Sequence, residues 1–401
     1  MFQYFPTNYV WNLAINIAIE MGAKMGELDE VSRPLLSLSE KGSDEGTQAF
    51  LESWEAMGDK LTELAREDEA RGRLISAGHK LVRSTVYFAT AERLQAFDYE
   101  PRRALYAKYQ AAFRRGVVLA GENCERVEIP YEGGVIAGLY TRAEGVSGPA
   151  PLLLQVNGLD SVKEILYLLR LPQELARRGV SSLCIDQPGT GEALRLHGLH
   201  ARPDAEYWAG KVLDYLETRP DVDPRRIGMQ GVSLGGYYAP RAVAFEPRFA
   251  LGVAWGASHN WGEVQKRRMA GQTKNPVPHY WEHVRWVWGS KDQGEFMALM
   301  EQINLIGVLD RIKVPFLLLH GADDQQIPTE YAHQSYDAMT SSPDRELKII
   351  TSREGGSQHS STDNSAYAVD YMADWVAERL GGRLGAATGP GLPVSAQKES
   401  R

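Results

Sequence analysis

Cysteine is nearly absent from this sequence: Cys124 and Cys184 are the only two in 401 residues. Two isolated cysteines supply neither a disulfide framework nor a zinc site, and the expectation is a reduced, cytoplasmic compartment. Basic residues are not in excess. Lysine and arginine total 44 against 52 acidic residues, for a formal net charge of −8. The cations are spread along the chain, which argues against a nucleic-acid partner, whose footprint is basic and clustered. Long apolar runs are missing too. The N-terminal stretch "MFQYFPTNYVWNLAINIAIEMGAKMGEL" is interrupted by Asn12 and Asn16 and has no basic leader or cleavage site. It reads as a buried or amphipathic helix, an ordinary packing helix before a dimer contact, and not as a membrane span. Phosphate and metal motifs are lacking: no G-x-x-x-x-G-K-[ST], no G-x-G-x-x-G followed by an acid, no H-E-x-x-H. No cofactor and no metal are therefore expected.

What is present is an ordinary soluble composition, 43% hydrophobic and 24% charged, with length enough for two to three domain-sized units. Residues 1–120 carry apolar positions at three-to-four spacing and predict helices, with no strand signal. From residue 121 the pattern changes. "CERVEIPYEGGVIAGLYTRAEG" predicts a hairpin turning at Glu132-Gly133-Gly134. Short apolar strands then alternate with helices: "APLLLQV", a helix over "VKEILYLLRLPQELARRG", "VSSLCID", a helix, "RRIGMQG", a helix, "FALGVAWG". The alternation pauses over 257–313, which is helical in pattern and rich in Trp, Tyr and His, and resumes over 314–381. This predicts an α/β fold with a mostly parallel sheet and helices on both faces, its core formed by 121–256 and 314–381. Residues 1–120 would form a helical region covering the site, 257–313 a helical cap insert, and the Gly/Pro/Ser-rich 382–401 a disordered tail.

Gly231-Val232-Ser233-Leu234-Gly235 fits G-x-S-x-G, lying between the strand "RRIGMQG" and the helix "GGYYAPRAVAF". Small residues at that turn let strand and helix pack while the serine projects above the sheet. A serine hydroxyl needs a base, and the base needs an orienting acid. "FLLLHGADDQQIP" ends a later strand with two acids; the spacing, three residues after a Gly and four before a Pro, selects Asp324 and leaves Asp323 as a turn or cap residue. His359 lies on the loop "REGGSQHSSTDNS" after the next strand, and no histidine follows it. Backbone N–H groups of Leu234, after the nucleophile, and Leu159, in the turn after "LLLQV", are the expected oxyanion donors. "IDQPGTGEALR" reads as a tight turn, not a phosphate loop. His259, Trp261 and Glu263 follow a strand's carboxyl end, where α/β folds place ligands, and are candidate pocket residues, with a structural histidine and a solvated glutamate as equal alternatives. Trp281, Trp286 and Trp288 add aromatic surface, at least half of it expected in the core.

The long helical N-terminal region, "NGLDSVKE" at 157–164, "DQPGTGEA" at 186–193 and "GVSLGGYYAPRA" at 231–242 together resemble one α/β-hydrolase branch. It holds bacterial 2,6-dihydroxypseudooxynicotine hydrolase, fungal Yg1-type polyketide hydrolases and FrsA-like proteins. The resemblance implies cleavage of a carbon–carbon bond beside a ketone by a triad at Ser233, Asp324 and His359, a small-molecule substrate and, in some members, a homodimer. An esterase, thioesterase or amidase with the same triad is the alternative. A non-catalytic regulatory protein on this scaffold is a third, excluded if a fluorophosphonate probe labels Ser233.

Overall fold

The computed structural model describes residues 1–385. One sheet holds β1 (Glu125–Tyr131), β2 (Gly134–Thr141), β3 (Ala150–Val156), β4 (Ser181–Ile185), β5 (Val222–Val232), β6 (Leu251–Trp255), β7 (Phe316–Gly321) and β8 (Arg345–Ile350). Their order is β1-β2-β4-β3-β5-β6-β7-β8. β2 is antiparallel to both β1 and β4, and the remaining neighbours are parallel.

The burial of each strand follows its sequence. Every residue of β3, β4, β6 and β7 is buried, as continuous apolar runs covered on both faces must be. The edge strand β8, "RELKII", keeps its charged residues half-exposed, which discourages pairing with another chain. The β1–β2 hairpin turns at Glu132 (φ 45°) and Gly133 (φ 76°), the left-handed pair that a two-residue hairpin loop requires.

One expected helix is in fact two. "VKEILYLLRLPQELARRG" forms Lys163–Leu168 and Leu171–Arg177, separated by Arg170 at φ 75°. Pro172 has no N–H to continue the first helix, but it suits the first turn of the second. The N-terminal region forms helices Tyr9–Glu20, Met25–Ser32, Thr47–Ala70, Leu74–Arg93 and Pro101–Ala120. The asparagines that interrupt the first helix fold the chain's start back along it. Asn12 Oδ1 accepts from the N–H groups of Tyr4 and Phe5, and its Nδ2 donates to Phe5 O. Asn16 does the same with the N–H and C=O of Phe2. A run of aromatic contacts, Phe5–Trp11–Phe50–Trp54–Tyr87, with ring centroids 5.0 to 5.6 Å apart, then ties this helix to those that follow. Segment 257–313 contains helices Trp261–Met269, Tyr280–Trp288 and Gln293–Met300. No helix among the described residues is long and apolar enough to cross a membrane. Of the expected tail 382–401, residues 386–401 lie outside the described residues.

A buried ion cluster joins the helical region to the sheet domain. Glu92 accepts from Arg102 Nε at 2.6 Å and from Arg195 Nε and Nη2 at 2.8 and 3.0 Å. Burial opposes its charge, but the two guanidinium groups prevail and hold its carboxyl down at about 2. A carboxyl lowered on folding stabilises the protein above its unfolded value, and this contribution is lost as the pH falls towards the folded value. Glu92→Gln, which leaves two buried guanidinium groups without their anion, is expected to cost about 3–5 kcal/mol at neutral pH. In urea unfolding followed by circular dichroism, the gap from the parent should be widest above about pH 4.5 and close towards pH 2. A gap that does not change with pH would rule out the ionic origin.

Candidate active site

The elbow begins where β5 ends. Ser233 sits at φ 57°, a left-handed conformation costly for a residue with a side chain. Its N–H donates to Trp255 O at 2.8 Å, and its C=O accepts from Gly236 N–H at 2.8 Å, opening the helix Gly235–Phe245. A Cβ at Gly231 would fall 2.0 Å from Gly235 O, so only glycine lets the strand and helix pass this closely. The first glycine of the pentapeptide is therefore a packing requirement, while a Cβ at Gly235 would sit tightly, 3.0 Å from Asn157 O.

His359 Nε2 lies 2.7 Å from Ser233 Oγ, and its Nδ1 lies 2.7 Å from Asp324 Oδ2. A neutral His359 with its proton on Nδ1 donates to Asp324 and leaves Nε2 free to accept from the serine. Asp324 is fixed through its other oxygen, which accepts from the N–H groups of Gln326 and Ile327 at 2.8 and 2.9 Å. His320 Nε2 stands 3.5 Å from Oδ2 and bonds Ile327 O at 3.0 Å. Burial raises the cost of charge on Asp324, but His359, His320 and the Ile327 N–H outweigh it and hold the carboxyl below its ordinary value. Asp323 points elsewhere. Its Oδ2 accepts from Ser357 Oγ at 2.7 Å and anchors the loop that carries His359.

The loop after β3 closes over the serine. A Cβ at Gly158 would meet Ser233 Cβ at 2.9 Å and Val232 O at 3.1 Å, so glycine is what permits the approach. Asn157 and Gln187 hold this loop to the turn after β4 by exchanging two hydrogen bonds, of 3.1 and 2.9 Å. Beneath them Lys163 is buried against Asp186 and Glu164, each at 2.8 Å, and Glu192 at 2.7 Å. Asp186 also accepts from the N–H groups of Lys163 and Glu192. The stretches "NGLDSVKE" and "DQPGTGEA" are thus two halves of one buried ionic joint. Leu159 and Leu234 are both buried, and neither N–H is paired with an acceptor among the described residues.

A cleft enclosing about 670 Å³, part of it open to solvent, lies over Ser233 and His359. Its walls are mainly apolar: Leu13 and Ile17 from the first helix, Ile165 and Leu169, Trp255 at the end of β6, and Pro276. Arg93, Asp160 and Gln326 also line it. His259, Trp261 and Glu263 do not, which corrects the expectation that they form the pocket. Beyond Gly256 (φ 89°) the chain turns away from the serine. His259 Nδ1 pairs with Ser335 Oγ at 3.1 Å, Trp261 packs on Trp288 and Phe296, and Glu263 lies near Arg267 at the surface. Trp288 is buried, and Trp286 is covered by the guanidinium groups of Arg102 and Arg195. Trp255 was identifiable in principle, as the last residue of a strand at the sheet's carboxyl edge. Leu13 and Ile17 carried no such signal, because no residue of their helix is exposed and apolar side chains occupy all of its faces.

The strand–elbow–helix, the acid after β7 and the histidine after β8 define an α/β hydrolase. Residues 172–383 match the prolyl oligopeptidase family, and residues 69–258 match the FrsA-like esterases. The chain is 30% identical over 397 residues to hydrolase LUC6 of Fusarium, covering 89% of this chain and 93% of that protein. It is 29% identical over 373 residues to 20-hydroxy-prefusarin hydrolase FUS2 of Gibberella moniliformis, covering 84% and 87%. The crystal structure of 2,6-dihydroxy-pseudo-oxynicotine hydrolase shares the fold, with a TM-score of 0.73 at 22% identity over 95% of this chain and 100% of that one. The protein therefore belongs to the α/β hydrolases, in the prolyl oligopeptidase family and together with hydrolase LUC6, and it is a hydrolase.

Proposed function

We propose that the protein is a serine hydrolase that cleaves a carbon–carbon bond beside a ketone in an aromatic or polyketide-type small molecule, through an acyl-enzyme. The observation that carries this reading is the relay Ser233–His359–Asp324, with both contacts at 2.7 Å, at the base of a largely apolar cleft. His359 takes the hydroxyl proton as Ser233 Oγ attacks the ketone carbon, and Asp324 stabilises the imidazolium that results. The N–H groups of Leu234 and Leu159 receive the oxyanion, each such donor being worth about 10²–10³ in kcat. The carbon–carbon bond then breaks, its electron pair leaves with the departing carbon, and His359 returns the proton to it. Water, deprotonated by His359, releases the acid from Ser233.

Carbon–carbon cleavage is favoured by the branch resemblance of "NGLDSVKE", "DQPGTGEA" and "GVSLGGYYAPRA". The match to FrsA-like esterases favours a second reading, hydrolysis of an ester, thioester or amide with the same residues. In either case helices of 1–120 serve as the cover, since Leu13, Ile17 and Arg93 line the cleft, and 257–313 acts as a cap insert through Pro276. A cytoplasmic location and a homodimer belong to the same proposal. Assays of aryl 1,3-diketones against p-nitrophenyl esters separate the two readings. Diketone cleavage with an acyl adduct on Ser233, trapped in His359→Ala and weighed by mass spectrometry, is the expected result. Rapid ester turnover with no diketone cleavage would replace the first reading with the second.

A further inference from the structure

The cleft over Ser233 is mainly apolar, yet it includes a full positive charge that the relay does not use. Arg93 is the only lysine or arginine among the lining residues, and it is 6% exposed. One of its terminal nitrogens, Nη2, is engaged with Pro276 O at 3.1 Å and with the carboxylate of Asp160. The other, Nη1, is buried and has no partner among the described residues. A buried guanidinium nitrogen without an acceptor is expensive unless something supplies one. The hydroxyl of Thr362, also on this wall, is buried without a partner among the described residues, but it is neutral.

The position of Arg93 is fixed relative to the serine. Asp160, its anion, stands two residues beyond Gly158, which abuts Ser233. Burial disfavours charge on Asp160, but Arg93 first, and His283 and His359 with it, keep its carboxyl below its ordinary value. Asp160 thus stays ionised and cancels the charge of Arg93. With Asp160 beside Arg93 and Glu20 also on the wall, the cleft has no net positive charge, so the free Nη1 suits a neutral carbonyl oxygen better than a carboxylate, and its hydrogen bond strengthens as negative charge develops on that oxygen.

Resting on the carbon–carbon reading above, we infer that Arg93 Nη1 receives the second oxygen of a 1,3-dicarbonyl substrate. Ser233 attacks one carbonyl carbon, and the bond to the carbon between the two carbonyls breaks. The electron pair released delocalises onto the second oxygen as an enolate, held by Arg93, until His359 returns its proton to carbon. The residue thereby selects substrates whose leaving group carries an oxygen two bonds from the breaking bond. A simple ester has no such oxygen.

Two measurements test this. In Arg93→Met the ratio of kcat/KM for an aryl 1,3-diketone to that for an ester with the same acyl group should fall about 10²-fold, and Arg93→Lys should recover part of it. Arg93→Met/Asp160→Asn, which removes both buried charges, provides a folded protein for the same ratio if the single variant fails to fold. In a Ser233→Ala background, calorimetry should show Arg93→Met weakening binding of the diketone at least 10-fold more than binding of the matched aryl monoketone. An unchanged ratio, or equal weakening of both ketones, overturns the role of Arg93 and leaves the carbon–carbon reading standing. A parent enzyme that cleaves no diketone, paired with Arg93-dependent diketone binding in Ser233→Ala, overturns the cleavage reading and supports the role of Arg93.

Discussion

Ser233→Ala is expected to lower kcat about 10⁶-fold, and adding His359→Ala to it should cost almost nothing further. In the proposed relay the two residues act as one unit. With its nucleophile gone, the base has no proton to take, so the second loss is already contained in the first. Asp324→Asn should cost less, about 10⁴-fold, because the relay geometry survives while the amide favours the wrong imidazole tautomer. The residual rate should remain about 10³–10⁴ above that in water, carried by the N–H groups of Leu159 and Leu234 and by the cleft walls. Single-turnover kinetics on the fastest substrate, with mass spectrometry after a fluorophosphonate label, measures all of this. Additive losses from Ser233→Ala and His359→Ala would mean that the residues work separately, whatever the 2.7 Å contact between them suggests.

The largest expected loss of stability comes from Lys163→Met. Three carboxylates converge on this ammonium at 2.7 to 2.8 Å, and all are buried. Arg126 and Arg114 reach Glu192 from outside, but Asp186 and Glu164 have no other cation among the described residues. Burial and then the neighbouring Asp186 act to push Glu164 up, against the pull of Lys163, and the net shift is upward. Removing the lysine leaves anions in a low-dielectric interior, where breaking such a pair costs about 3–5 kcal/mol and a larger cluster costs more. Loss of soluble protein, or a urea midpoint lowered to match, is the expected observation. Activity should fall further than the folded fraction, because Lys163 lies on the segment that carries the loop over Ser233. A Lys163→Met protein as stable as its parent would mean the carboxylates find protons or water without cost.

The relay residues were legible because each is bound to a local pattern. G-x-S-x-G encodes a steric necessity, visible in the 2.0 Å clash a side chain at Gly231 would create. Asp324 and His359 follow strands whose apolar runs are easily read, so chain order places them. The fold class came from the same alternation; the break at Arg170 was lost, since periodicity continues across a helix–turn–helix when both pieces face one core, and so was the short helix Gly191–Arg195, hidden in a stretch read as a tight turn. The pocket was not legible, because it is assembled from residues with no common motif. Arg93 sits in a helix whose neighbours are nearly all buried, where nothing in the spacing distinguishes a wall from a core position. The reading of His259, Trp261 and Glu263 failed for the complementary reason: the position after a strand's end was right for a ligand, but the turn at Gly256 sends the following chain to Ser335 and Phe296 instead.

Glu20, on the first helix, accepts from the N–H of Ser365, six residues beyond His359, across 345 positions of chain. Gln326, two residues beyond Asp324, donates to Tyr9 at 3.1 Å. The cleft is therefore held together by segments more than 300 positions apart in the sequence, and local order alone cannot assemble it. On a ribosome adding about 5–20 residues per second, the N-terminal helices have time to pack while much of the sheet is still unmade. Ser233 emerges on its elbow before Asp324 and His359 are made, so under the proposed mechanism a chain stalled before residue 324 carries the serine without the acid and base that would activate it.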